Sequence, residues 1–116
     1  MSKCITRNSD FLKKIVKARG QKRESIIDSA SKDEIRALSE IAFNISKGNF
    51  KIPEPLLKKL VKHRHSIRKL SKKTLSHTVK RTLLKQKGGF LPLLVSPVLS
   101  ALGIIVGRAI SSQIGL

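Results

Sequence analysis

The sequence has no Trp, no Tyr, four Phe and a single cysteine in 116 residues. One thiol, Cys4, cannot close an internal disulfide, and one Cys with three scattered His does not make the ligand set of a structural zinc site. A secreted disulfide scaffold and a zinc module are therefore not expected, and neither a metal nor a cofactor is. Acids are scarce as well: seven Asp and Glu stand against 25 Lys and Arg, giving a formal charge of +18. The opening MSKCITRNSD lacks the apolar stretch of a secretory signal, and Ser2 stands where N-myristoylation needs glycine, so a start in the cytosol or nucleus is expected. These absences leave an enzyme little to work with. Cys4 with a histidine is the one nucleophile pair that can be drawn, in a terminus expected to fray and without a third group to orient it. The chain is read as non-enzymatic.

What is present is arranged in zones. Hydrophobic residues make up 40 %, too many for a purely disordered basic tail. All seven acids (Asp10, Glu24, Asp28, Asp33, Glu34, Glu40 and Glu54) fall in residues 1–54, which carry 12 Lys and Arg and net +5. Residues 55–116 carry 13 Lys and Arg and no acid; 12 of them lie between Lys58 and Lys87, and 20 uncharged residues follow from Gly88 to Gly107. The expected fold is all-α, with a small N-terminal helical bundle over 1–50 as an interaction module, a long basic amphipathic helix over 51–87, and an apolar Gly- and Pro-containing tail with a helix over 88–116.

In the first zone Ser9 or Asp10 can cap a helix bearing Phe11, Leu12, Ile15 and Val16 on one face, with Gly20 as its stop. Ile26, Ile27 and Ala30 mark a second short helix. Ser31 and Glu34 form a capping box ahead of Ile35, Leu38, Ala42 and Ile45 at helical spacing, and Gly48-Asn49 ends that helix. Phe43 and Phe50 read as core filler. A core from about 50 residues is marginal, so the bundle is expected to lean on the next helix or on copies of itself.

Pro53 and Pro55 suit the first turn of a new helix near Glu54. On a helical wheel Leu56, Leu57, Leu60, Ile67, Ser71 and Thr74 share one side, while Lys58, Lys62, Lys69, Lys72 and Lys73 take the other, with a break expected around Ser71–Ser76. Leu75, Val79 and Leu83 then repeat at i, i+4 and i+8 as an apolar face, while Lys80, Arg81, Lys85 and Lys87 continue the charge. Like charges at this density repel, and a polyanion that screens them stabilises the helix. The candidate phosphate contacts are Lys58, Lys59, Lys62, Arg64, Arg68, Lys69, Lys72, Lys73, Lys80, Arg81, Lys85 and Lys87. With no Asn, one Gln and no aromatic residue, the zone is poorly equipped to read base edges or stack on single strands, so sequence-independent contact with duplex DNA is expected. An anionic membrane surface is the rival partner. His63 and His65 point to different sides of a helix and suit solvent or phosphate better than a metal.

The uncharged run reaches roughly the 30 Å of a bilayer's hydrocarbon if helical, and basic residues before it favour the cytoplasmic side. Pro92 and Pro97 interrupt it near its start. Leu99, Leu102, Val106 and Ile110 form a stripe, and Gly103 with Gly107 allows close approach of a partner helix. The pattern leaves open a membrane-active or self-associating tail and a buried core helix.

Lys47-Gly48-Asn49, the Pro-led Leu-Lys helix and the run Leu83-Leu84-Lys85-Gln86-Lys87-Gly88-Gly89-Phe90-Leu91 before a Pro-, Leu- and Gly-containing tail resemble a group of small proteins of Maverick (Polinton) elements and adintoviruses, likened to the adenovirus core protein X, the precursor of mu. The resemblance implies a virion component in the host nucleus: a DNA-associated basic core peptide joined to a hydrophobic segment that contacts capsid protein or membrane. It also implies a cysteine protease of the adenovirus type, for which Gln86-Lys87-Gly88-Gly89 followed by Phe90 looks like a junction, with Gln86 where an aliphatic residue is usual. Physically, Gly88-Gly89 is equally a flexible cap and hinge.

Overall fold

A computed structural model describes residues 3–103, and every regular element among them is helical. The centre of the core is α4, Lys32–Ser46, whose start is fixed by the anticipated capping box: the Ser31 hydroxyl accepts from the Glu34 amide at 3.1 Å, and the Ser31 amide donates to Glu34 Oε1 at 2.8 Å. Ile35, Leu38, Ile41 and Ala42 lie along one stripe of this helix and are fully enclosed. Gly48 ends it with φ +72°, a left-handed conformation that glycine takes without a side-chain clash.

Before α4 come α1 (Lys3–Arg7), α2 (Ser9–Lys17) and α3 (Gly20–Ser29). The terminus does not fray at Cys4, because Cys4 and Ile5 are buried and α1 packs on α4. Asn8, not Ser9 or Asp10, takes the cap position of α2; its amide is committed to the Cys4 carbonyl at 2.7 Å and Asp33 Oδ2 at 2.9 Å. Phe11, Leu12 and Ile15 face the core as expected. Gly20 does not stop α2: Ala18 and Arg19 do so in extended conformations, and Gly20, at φ +57°, opens α3.

The single long basic helix is in fact three: α5 (Glu54–Val61), α6 (Arg64–Ser71) and α7 (His77–Lys87). The second break falls where it was expected; the first, at Lys62-His63, leaves the half-buried His63 ring 5.7 Å from that of Phe90. Leu60, Ile67 and Leu70 are buried, whereas Leu57 and Val61 are exposed. In α7 and just before it the expected face is partly rotated: Leu75 and Leu83 are half-buried, with Leu83 against the core, but Val79 is 50 % exposed, while Lys80 and Leu84 turn inward.

A 3-10 turn over Gly88–Phe90 leads into α8, Leu91–Ala101. Pro92 occupies its first turn, and Pro97 lies inside it without ending it. Phe90, Leu91, Leu94, Val95, Val98 and Leu99 are fully enclosed and join residues of α1 to α7 in one hydrophobic cluster. Burying six such side chains contributes on the order of 10 kcal/mol. The N-terminal bundle therefore leans on both later regions. Of the residues expected to face a membrane or another copy, Leu99 is buried, Leu102 half-buried and Gly103 exposed; Val106, Gly107 and Ile110 lie outside the described residues. No helix of the described residues is long and apolar enough to cross a membrane.

Candidate polyanion-binding surface

Lys58, Lys59, Lys62, Arg64, Arg68, Lys69, Lys72, Lys73 and Lys87 are exposed. Among the described residues the side-chain ion pairs are Arg7–Asp33 and Lys85–Asp28, so these nine cations stand without an acid partner. Arg64 donates to the Val61 carbonyl at 3.3 Å, and the Lys73 ammonium lies 5.7 Å from the centroid of the Phe43 ring. Residues 55–87 hold no acid, and three of the acids elsewhere are already engaged: Asp33 with Arg7 and Asn8, Glu34 in its cap and Asp28 with Lys85.

Three of the anticipated phosphate contacts are used by the fold instead. Lys80 is only 4 % exposed, and its ammonium donates to Ser39 Oγ at 2.7 Å, while that hydroxyl donates to the Leu70 carbonyl at 2.6 Å. A phosphate on the surface does not reach it, and burial pushes its pKa down. Arg81 Nη1 donates to the carbonyls of Ile27, Asp28 and Ala30 at 2.6, 3.1 and 2.8 Å. Lys85 pairs with Asp28 at 3.0 Å and stays partly exposed.

Two concavities sit at the ends of α6. At its start, a groove of about 450 Å³ is lined by Lys62, His63, His65, Ser66, Lys87 and Gly89. It brings Lys62 and Lys87 together from distant parts of the sequence, and it brings the two histidines to one groove although they were expected on different sides of a helix. At the other end lies a cavity of about 540 Å³ between α4 and the start of α7, with Arg36, Phe43, Lys73, His77 and Lys80 in its walls. His77 Nδ1 is buried there without a hydrogen-bond partner. Desolvation lowers the His77 pKa, and Lys80, Arg36, Lys32 and Arg81 lower it further.

Phe43 is not core filler: it is 38 % exposed, with Lys47 and Lys73 each 5.7 Å from its centroid. Its position in the sequence gave a signal, since it falls between the stripe residues Ala42 and Ile45. No group of three or more His, Cys, Asp or Glu among the described residues is placed to hold a metal. The Cys4 pKa is raised by burial first and by Glu40 and Asp33 next, which favours the thiol over the nucleophilic thiolate.

At the anticipated protease junction Gln86, Lys87 and Gly89 are exposed, but Gly88 and Phe90 are buried in the 3-10 turn. A protease that binds extended substrate would first have to draw Phe90 from the core. No protein-family model, curated protein or solved structure matches this chain.

Proposed function

We propose that this is a virion core-type protein that binds and condenses duplex DNA without regard to sequence, through phosphate contacts made by the exposed cations of α5, α6, their adjoining loops and the end of α7. The observation that carries the reading is the set of nine exposed cations with no acid partner among the described residues. Such side chains replace condensed counterions on DNA, and each neutralised phosphate adds about −0.9 to the slope of log K against log salt. Lys62 and Lys87, held at one groove, are suited to grip neighbouring phosphates together.

The virion setting, the host nucleus and a processing protease are proposed on the resemblance to the Maverick and adintovirus proteins. Capsid or membrane association is proposed for the end of the chain beyond α8. Inserting residues 90–114 into an anionic bilayer, the competing reading, requires Phe90, Leu91, Leu94, Val95, Val98 and Leu99 to leave the core they fill.

The test replaces Lys58, Lys62, Lys69, Lys72 and Lys73 by Gln and titrates both proteins with unrelated duplexes across a salt series. Binding is expected to weaken equally for every duplex, with a salt slope shallower by up to about 4.5. Unchanged affinity and slope would overturn the reading, and leakage of anionic vesicles without DNA binding would replace it by the membrane one.

A further inference from the structure

The cavity between α4 and α7 poses an electrostatic problem that the surface lysines do not. Lys80 is buried, yet among the described residues no carboxylate lies within ion-pair distance of it. Its ammonium has three protons to donate, Ser39 Oγ accepts one, and the Ser39 proton is itself committed to Leu70. On the same cavity wall the His77 imidazole leaves a buried Nδ1 unpaired. Arg36 and Lys73 add two more cations against one carboxylate, Glu40, which also acts on Cys4 and Arg7 in α1.

An enclosed ammonium without a counter-ion is unfavourable, and an anion admitted to the cavity removes the penalty. Donors arriving from Lys80, His77, Arg36 and Lys73 suit an acceptor with several oxygens. The cavity, about 540 Å³, is larger than one phosphate needs and lies in the range of small-molecule sites. Its remaining wall includes the half-buried Leu75 and the partly exposed ring of Phe43, against which a base can pack where the Lys73 ammonium turns from the ring to the phosphate.

We propose that this cavity is a binding site for a phosphate group carried by a nucleotide, with Lys80 and His77 holding the phosphate and Phe43 against the base. The site shares Lys73 with the duplex-binding surface but differs from it in kind: it takes one nucleotide in a concavity rather than phosphates along a strand. The nucleotide has two sources, a free nucleoside monophosphate or the 5′-phosphorylated end of a strand.

The experiment titrates the full chain calorimetrically with dAMP and with inorganic phosphate, and repeats it for Lys80→Met, Phe43→Leu and the triple variant Lys58→Gln, Lys62→Gln, Lys69→Gln. Saturable dAMP binding is expected, about tenfold weaker or more in Lys80→Met, as for loss of a charged hydrogen bond, and unchanged in the triple variant. Phe43 is 38 % exposed and lies outside the core cluster, so Phe43→Leu is expected to keep the fold, checked by its thermal transition, and to weaken dAMP binding while sparing inorganic phosphate. Competition by a DNA hairpin with a 5′-phosphate, but not by its unphosphorylated twin, would place the strand end in the site; competition by neither would leave the free nucleotide as the ligand. Absence of saturable dAMP binding, or its loss in the triple variant but not in folded Lys80→Met, would overturn the proposal. So would an unchanged ratio of dAMP to phosphate affinity in Phe43→Leu. Absence of duplex binding by the unsubstituted chain, with dAMP binding retained, would instead count against the DNA-coating reading alone.

Discussion

Arg81 Nη1 donates to the Ile27 carbonyl oxygen at 2.6 Å, tying α7 to the last turn of α3. The same nitrogen also reaches the Asp28 and Ala30 carbonyls, so one guanidinium adds donors at a helix end where the Ile27 carbonyl otherwise accepts only the Ala30 amide. Arg81→Met should therefore lower folding stability by about 1.5–3 kcal/mol, the usual worth of a hydrogen bond to a charged group. Urea unfolding measures this, and duplex affinity in water should change little. A large loss of affinity without a loss of stability would return Arg81 to the proposed DNA surface.

A chain ending at Gly89 should not leave a folded basic protein. It lacks six side chains that are fully enclosed in the core, from Phe90 to Leu99. We expect loss of the cooperative thermal transition and collapse of amide protection in α2 and α4, which α8 contacts. A sharp transition in the truncated chain would show that α8 is dispensable.

The Asp33 carboxyl is held well below the usual carboxylate range, first by its hydrogen bond from Arg7 and then by that from Asn8. A depressed folded pKa gives stability that is present above the unfolded value of about 3.9 and lost as pH falls through the folded one. Asp33→Asn should therefore be less stable than the parent by a constant amount above about pH 5, with the gap closing in acid. Parallel stability curves down to low pH would contradict the assignment.

Ser31→Ala removes the acceptor of the Glu34 amide and half of the capping box of the central helix. The expected cost is about 1 kcal/mol, with Ser31→Asp near neutral because it restores a cap. Equal losses in both variants would point to a cause other than the cap.

The parts of this fold that could be read ahead were those with local chemistry. Ser31 and Glu34 mark a helix start through groups three residues apart, and Gly48 ends α4 through its own backbone freedom. The parts that could not were decided by contacts between distant segments. No Gly, Pro or Asn marks the break at Lys62-His63. Once α7 is separated by the loop after Ser71, its rotation is set by the surface it meets, so Lys80 finds Ser39 while Val79 faces outward. Apolar composition does not distinguish a lipid-facing helix from one enclosed by protein, and packing on α2 and α4 decided that for α8. For the same reason the exposed cations were legible one by one, but not the grooves that join Lys62 to Lys87 or Arg36 to Lys80.

Because α8 belongs to the core, the cations of α5 and α6 are carried on a folded body rather than on a threading basic tail. That body measures 42 Å along its longest axis. At about 3.4 Å per base pair, 42 Å of duplex is roughly 12 base pairs. Under the proposed function such a body has a footprint, so coverage of DNA should saturate at a fixed number of copies per length, where an unfolded polycation would spread until charge alone was matched.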